Sequence, residues 1–334
     1  MRIVRWDPAD ETTTLGCYEV HRAASRADDP VEPPMSAGTF RVHLQEGWEH
    51  NPGEVWAACD DDGTVTGFYR LDLPDVENRD RAFLGLVVHP AARRNGTGRQ
   101  LLRHGAERAG VNERTILDGV AVVGGAGEKF ALAAGAKLSL TEVRRIQYLG
   151  KIAPGVIAGL RADAERAAAG YSLASWTGEI PDEYLAGTAE VFNAFNDAPH
   201  GEGIEDEFWD AARVRERTGT LQRLGLMRGY GIAALHDATG EMAGFTAVVI
   251  DPECPQWGFQ QLTAVVRGHR GHRLGLLVKT AMLELLAAAE PQLEWISTGN
   301  AAENAHMIAV NEQLGYEVVP PGWNFYEIPV ADVR

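Results

Sequence analysis

Alternating apolar and polar positions, interrupted by turn residues, occur twice along the chain with the same spacing. The segment EVWAACDDDGTVTGFYRLDL, residues 54–73, predicts a β-hairpin about its Asp-Gly turn, and YGIAALHDATGEMAGFTAVVI, residues 230–250, repeats that shape. Matching residues of the two segments lie 177 positions apart, namely Asp60 and Asp237, Gly63 and Gly240, and Gly67 and Gly244. We therefore interpret the chain as the product of a duplication.

Both copies continue with an apolar strand, a glycine-spaced turn and a helix. This order of elements predicts the α+β class with mixed α/β character. The 334 residues exceed the roughly 100–200 expected of one domain. We expect an N-terminal domain over 1–150, an Ala-rich helical connector over 151–170 and a C-terminal domain over 171–334. The helix LLVKTAMLELLAAAE, residues 276–290, is interpreted as amphipathic because it contains Lys279, Glu284 and Glu290.

The glycine-spaced turn has the composition of an anion site. In VVHPAARRNGTGRQLL, residues 87–102, a strand ends near Val88 and a helix begins near Gly98. The first amides of a helix are unpaired and partly positive, and small residues leave them accessible. Arg93 and Gly98 match Arg270 and Gly275 at the same offset as the hairpins, so we expect two such sites. The alternative is that the glycines only permit a tight strand-to-helix turn.

Missing motifs, net charge and residue spacing argue against several other functions. There is no GxxxxGK[ST] motif, and VAVVGGAGEKFALAAGA has Phe130 where a dinucleotide fingerprint needs its third glycine. A net charge of −16 argues against nucleic-acid binding and suits an amine-bearing partner. The three cysteines form no CxxC pair, and His269 and His272 lack a third ligand, so no metal site is expected. Without a signal-like or membrane-spanning segment, we expect a cytoplasmic protein.

At this point the residues resemble a known family. The run Val88–Gly98 resembles the acetyl-CoA pyrophosphate loop of GCN5-related N-acetyltransferases (GNAT), [RQ]xxGx[GA] after a strand. TGNAAENAHMIAVNEQLGYEVV, residues 298–319, resembles the later signature of that family, and EKFALAAGAKL, residues 128–138, is a fainter counterpart. The duplicated arrangement is similar to tandem acetyltransferases such as mycothiol synthase.

The resemblance implies an architecture and a cofactor site. Each GNAT-like domain is expected to have a mixed, mostly antiparallel sheet flanked by helices, in which two parallel strands splay apart around the pantetheine of acetyl-CoA. The diphosphate then meets the following helix. The implied cofactor residues in the first copy are Val87, Val88, Arg93, Arg94, Asn95, Gly96, Thr97 and Gly98. In the second copy they are Val265, Val266, Arg270, Gly271, His272, Arg273, Leu274, Gly275, Asn300 and Asn304.

The catalytic groups are less clear than the loops. Many family members have a Tyr four residues before the late Gly, and that position holds Ala131 in the first copy and Asn311 in the second. Tyr326 is a substitute by residue type only. In the acidic loop FNAFNDAPHGEGIEDEFWD, residues 192–210, His200 and Glu202 are candidates for handling the acceptor amine. The alternative reading is a turn followed by acids that favour a helix start.

These observations lead to two functional hypotheses. The first is an acetyl-CoA-dependent N-acetyltransferase that acts on a primary amine of a small molecule by direct attack, with the second half as the catalytic one. The second is a CoA-binding or structural tandem module in which one or both halves are inactive. Neither hypothesis requires nucleic acid, membrane or metal, and both are compatible with a monomer or a homodimer.

Overall fold

A computed structural model describes residues 1–46, 52–198, 201 and 203–334. The helices, in chain order, are α1 (Glu11–Asp28), α2 (Ala37–Glu46), α3 (Thr97–Val111), α4 (Ala126–Ala134), α5 (Val156–Ala167), α6 (Leu185–Asn193), α7 (Ala211–Arg217), α8 (Thr220–Arg223), α9 (Leu274–Ala289) and α10 (Ala305–Gln313). The strands are β1 (Arg2–Arg5), β2 (Glu54–Cys59), β3 (Val65–Asp72), β4 (Arg81–Val88), β5 (Ile116–Val122), β6 (Lys137–Tyr148), β7 (Tyr171–Thr177), β8 (Arg228–His236), β9 (Met242–Ile250), β10 (Trp257–Val265), β11 (Trp295–Ala301), β12 (Tyr316–Val318) and β13 (Trp323–Pro329). Both predicted hairpins are present, as β2–β3 and β8–β9, and Gly63 and Gly240 have φ of +92° and +73° in their turns.

The chain forms two compact units, each made of more than one segment. The first unit contains Met1–Glu142, Gly201–Glu205 and Pro321–Arg334, and the second contains Val143–His200 and Asp206–Pro320. Residues 143–150 and 321–334 therefore lie in the unit opposite to the one that the sequence-based boundaries assign. The expected connector, 151–170, contains α5, whose Ala164 is fully buried in the core of the second unit.

In the first unit the strand order is β1-β2-β3-β4-β5-β13-β6. The strand pairs of this sheet are antiparallel except β4–β5. Strand β13, from the C-terminal end of the chain, pairs with β5 from Trp323 opposite Val122 to Pro329 opposite Ile116. Its Ile328 joins the core that α3 covers, while α1 and α2 cover a second core on Phe68. The first unit is thus closed by a strand that is distant in sequence.

In the second unit the order is β6-β11-β10-β9-β8-β7, and β12 also pairs with β6. Only the second part of β6 belongs here, with Arg145 to Gln147 opposite β12. Helix α9 packs its apolar residues into the main core with α5. The mixed, mostly antiparallel sheets flanked by helices confirm the expected fold class. None of the helices in the described ranges combines the length and apolarity that crossing a bilayer requires.

Candidate functional site

The parallel strands of the first unit separate beyond their first few residues. Strands β4 and β5 pair only from Arg81 opposite Ile116 to Phe83 opposite Asp118, although they continue to Val88 and Val122. Main-chain groups of β5 beyond residue 118 therefore have no β4 partner in the sheet. We call this opening the first wedge.

The second unit repeats the opening. Strands β10 and β11 pair only from Trp257 opposite Trp295 to Phe259 opposite Ser297. The register of β10 against its other neighbour, β9, then shifts between Gln260 and Thr263. A shift of this kind bends a strand and turns it away from its neighbour. We call the opening between the ends of β10 and β11 the second wedge, and the splayed strand pair is thereby confirmed in both units.

Each wedge leads to the start of a long helix that has no side-chain cap. Helix α3 follows Gly96 and has 15 residues, and helix α9 follows Arg273 and has 16. Neither preceding residue makes a side-chain capping hydrogen bond. A Cβ added at Gly275 would have no neighbour nearer than Val265 Cγ2 at 4.0 Å, so the second helix start is open. Unpaired amides and the helix dipole together favour an anion at such a place.

The two loops share one backbone conformation but use different residues for it. The first has positive φ at Arg94 (69°) and Gly96 (87°). The second has positive φ at Gly271 (90°) and Arg273 (54°), which are the matching positions of the second copy. The loss of the motif glycine at Arg273 has therefore not changed the path of the loop.

Known proteins resemble this chain in both sequence and fold. Residues 18–118 match the model of the Acetyltransferase (GNAT) family. A tandem GNAT protein from the clavulanic acid biosynthesis pathway is 29% identical, with a TM-score of 0.80 and 98% of each chain covered. Residues 18–118 thus match the GNAT family, and the whole chain is similar to a tandem GNAT protein.

Two further solved structures share the fold. A GCN5-related N-acetyltransferase from Sphaerobacter thermophilus is 15% identical, with a TM-score of 0.68 over 98% of this chain and 95% of the other. A fungal GCN5-related glucosamine N-acetyltransferase region is 13% identical, with a TM-score of 0.63 over 98% of this chain and 38% of the other. No curated protein matches the chain.

The first arginine of each loop is engaged by other groups of the protein. Arg93 donates through Nε to the carbonyl of Val88 at 3.2 Å and through both terminal nitrogens to Asp28. Arg270 donates to the carbonyl of Val265, also at 3.2 Å, and to Asp197 at 2.7 Å. Both side chains thus fix the loop to its strand. Their proposed role toward a cofactor is indirect, through the loop they hold.

The remaining loop residues differ in exposure. In the first loop Arg94, Asn95 and Gly96 are exposed, Thr97 is buried, and Phe130 of α4 lies close to Gly98. In the second loop Leu274 is buried, while His272 is exposed and packs beside Tyr171. Of the strand residues before the loops, Val87 and Val88 border the cores of the first unit, and Val265 and Val266 border those of the second.

An aromatic cluster adjoins the second loop. The rings of His236, His269 and His272 all lie beside the ring of Tyr171, with centroid separations of 5.3, 5.7 and 5.3 Å. The Tyr171 hydroxyl lies 2.9 Å from His269 Nδ1. Across the part of the chain that the structure describes, no group of three His, Cys, Asp or Glu residues has the arrangement of a metal site.

The late signature of the second unit contains a buried polar network that the sequence did not reveal. Lys279 of α9, 3% exposed, donates to Asn311 Oδ1 at 2.8 Å, and Asn311 Nδ2 donates to Asn300 Oδ1 at 2.8 Å. Burial lowers the pKa of Lys279 to about 7. The interpretation of α9 as amphipathic, with Lys279 among its polar residues, does not hold at Lys279, which is buried. Lys279 lies three positions from both Leu276 and Met282, on the apolar side of the helix, and that spacing was the available signal.

Asn304 caps α10. Its side chain accepts a hydrogen bond from the amide of Met307 at 3.2 Å. This is the ordinary role of an asparagine before a helix. Its contact with a cofactor stays a prediction.

Of the three candidate catalytic residues, Tyr326 is the one that the structure describes. Tyr326 lies on β13 in the first unit, buried, and donates to Glu128 at 2.9 Å. Burial, together with the bond to Glu128, raises its pKa. His200 and Glu202 lie outside the described residues. Nearby Asp197 binds Arg267 and Arg270, whose hydrogen bonds lower the pKa of its carboxyl.

Proposed function

We propose that this protein is an acetyl-CoA-dependent N-acetyltransferase that transfers acetyl to a primary amine of a small molecule. GNAT proteins in general perform acyl-CoA-dependent N-acetylation, and the observation that supports it here is the pairing of each wedge with an uncapped helix start. The two helix starts fit a diphosphate because neither has a side-chain cap, and a Cβ added at Gly275 would meet nothing nearer than 4.0 Å.

Different residues along each wedge would bind different parts of acetyl-CoA. The amides at Thr97–Gly98 and Leu274–Gly275 bind the diphosphate, and the ends of β4 and β10 offer main-chain groups to the pantetheine arm. When bound, acetyl-CoA supplies the activated acyl group. A main-chain amide of β10 near its register shift, between Gln260 and Thr263, stabilises negative charge as it develops on the acyl oxygen, while Val265 and Val266 lie nearer the diphosphate, beside the arm. The amine forms the new C–N bond directly, its proton passes to a base, and the CoA thiolate leaves.

We assign transfer to the second half. Strand β11, which bounds the wedge there, carries Asn300, the outer residue of the Lys279–Asn311–Asn300 network. The corresponding positions of the first half are apolar, with Leu102 in the place of Lys279 and Ala131 in the place of Asn311. His200 and Glu202 stay predictions for the acceptor side. The apolar first wedge favours the second candidate function for that half, a module that binds CoA or stabilises the structure without catalysing.

Calorimetric titration with acetyl-CoA, followed by detection of released thiol with a panel of small amines, tests the proposal. Gly98→Asp and Gly275→Asp place a carboxylate in the first turn of α3 and α9. The helix dipole tolerates a carboxylate there, so the helix should persist while the anion site is occupied. Gly98→Ala and Gly275→Ala are the matched controls for added volume.

We expect each Asp variant to remove one binding event and each Ala variant to retain both. Only Gly275→Asp should abolish thiol release. Unchanged stoichiometry in both Asp variants would refute the anion sites. Binding without thiol release across the panel would favour the module in both halves.

A further inference from the structure

The hydrogen-bond direction in the Lys279 network is set by chemistry. In its protonated form, which predominates below about pH 7, Lys279 can donate but cannot accept. Asn311 must therefore turn its Oδ1 toward Lys279 Nζ, 2.8 Å away, and its Nδ2 toward Asn300. Asn300 in turn must accept through Oδ1, also at 2.8 Å. The direction of two carboxamides, which coordinates alone define poorly, follows from one lysine.

Of the two polar groups of the Asn300 carboxamide, one is still able to bind a ligand. With Oδ1 engaged, its Nδ2 group is the part available to a ligand, and within the described residues it has no other hydrogen bond. Asn300 is partly exposed, whereas Asn311 is fully buried. The network thus starts in the core and ends at a partly exposed donor on β11, one of the two strands that bound the second wedge.

The position of Asn300 along β11 determines which part of a bound acetyl-CoA molecule it would contact. The last β10–β11 pair is Phe259 with Ser297, three residues before Asn300. A strand advances about 3.3 Å per residue, so Asn300 lies about 10 Å from the closed end of the wedge. Because the proposed diphosphate site is at the start of α9, the arm would run from there into the wedge, which puts the thioester toward the closed end and the amides of the arm further out.

We propose that Lys279 and Asn311 are positioning residues that hold Asn300 as a hydrogen-bond donor to an amide carbonyl of the pantetheine arm in the second wedge. The inference rests on the proposed function, because it presumes a carrier in that wedge. It adds the direction of the contact and the buried cation that sets it. The first half lacks the device, since Leu102 and Ala131 stand at the equivalent positions.

The decisive variant is Asn311→Asp. The introduced carboxylate forms an ion pair with Lys279, so folding should be retained. A carboxylate only accepts, so Asn300 must donate to it and turn Oδ1 toward the arm, opposite a carbonyl. Lys279→Met instead removes the constraint while keeping an unbranched side chain, and replacing a buried charge by an apolar group is often neutral or stabilising. Glu312→Gln, on the exposed side of the same helix, is the control.

All variants are made in a Gly98→Asp background and titrated with acetyl-CoA and with CoA. We expect Asn311→Asp to weaken both ligands about tenfold and Lys279→Met about threefold, with Glu312→Gln unchanged. Because the contact lies away from the reacting carbon, KM should rise with kcat unchanged. The inference would be overturned if the Asn311→Asp variant bound acetyl-CoA and CoA within about twofold of the parent's affinity. A fall in kcat with no change in KM would also overturn it. No acetyl-CoA binding by the Gly98→Asp parent would overturn the second-half assignment itself.

Discussion

In the first loop the left-handed positions are Arg94 and Gly96, and in the second they are Gly271 and Arg273. Each loop therefore has one glycine and one arginine, in opposite order, on the same backbone. Both loops also have an arginine bonded to the last carbonyls of the preceding strand, at Val88 and Val265. What the two halves share is the path of the main chain, and main-chain amides are what an anion contacts at a helix start.

The two loops share a backbone path, whereas the two halves differ in the polarity of the residues near their wedges. The first wedge is flanked by apolar residues at Leu102 and Ala131, and the second by Lys279 and Asn311 at the equivalent positions. A buried cation is costly unless it is bonded, so the second half has accepted a destabilising residue that the first avoids. Residues that lower stability in one copy of a duplication are candidates for function in that copy.

The largest effect should come from removing residues 321–334. Strand β13 pairs with β5 from Trp323 to Pro329 and contributes Ile328 to the core. Without β13, strand β5 and the first part of β6 lose the strand that lies between them. We expect the first unit to lose cooperative unfolding, whereas the backbone amides of the second unit should keep their protection from hydrogen exchange. Hydrogen exchange resolved along the chain measures this. Deletion of Arg334 alone is the control, and equal loss in both units would show that the units do not fold separately.

The arginine contacts should differ in strength between the halves. The Arg93–Asp28 pair is bidentate and largely buried, with side chains 24% and 27% exposed. The Arg270 side chain is 44% exposed, and Arg267 still binds Asp197 when Arg270 is removed. We expect Arg93→Ala to cost about 2 kcal/mol and Arg270→Ala less than about 1 kcal/mol. Urea unfolding measures both, and equal costs would contradict the comparison.

Much of this arrangement was predictable from local sequence. The hairpins and the two loops follow from period-two patterns, turn residues and one constant offset between the two copies, and the splayed strands were expected from the resemblance to the GNAT family. The exchange of strands was not predictable, because alternation in residues 323–329 indicates a strand without specifying its neighbour. The Lys279 network was missed because Lys279 was grouped with Glu284 and Glu290 as the polar residues of an amphipathic helix.

Stability should depend on pH through Lys279. Its pKa falls from 10.5 to about 7 on folding, so between these values the unfolded chain binds more protons than the native one. Native stability therefore rises with pH across this window, by up to about 1.4 kcal/mol per unit. Between about pH 7 and 8.5 the wild type should gain stability relative to Lys279→Met. Denaturant unfolding at several pH values measures the difference, and parallel curves would show that Lys279 does not titrate there.

The smallest effect tests the loops directly. Arg273 has φ of 54° and donates to Gln313 at 3.2 Å on the surface, a contact of little energetic value. A left-handed non-glycine residue costs about 1–2 kcal/mol, and glycine gives part of that back through the entropy of the unfolded chain. Arg273→Gly should thus stabilise the protein by about 0.5–1 kcal/mol. Arg94→Gly should do the same in the first loop, since its φ is 69°.

Thermal unfolding compares these two variants with Arg99→Gly, which lies inside α3 and should be destabilising by about 1 kcal/mol. A loss of stability in Arg273→Gly would show that the loop does not strain this residue. If Arg273→Gly stabilised the protein but weakened acetyl-CoA binding, the guanidinium would be a direct phosphate contact, and the two loops would bind the carrier by different means.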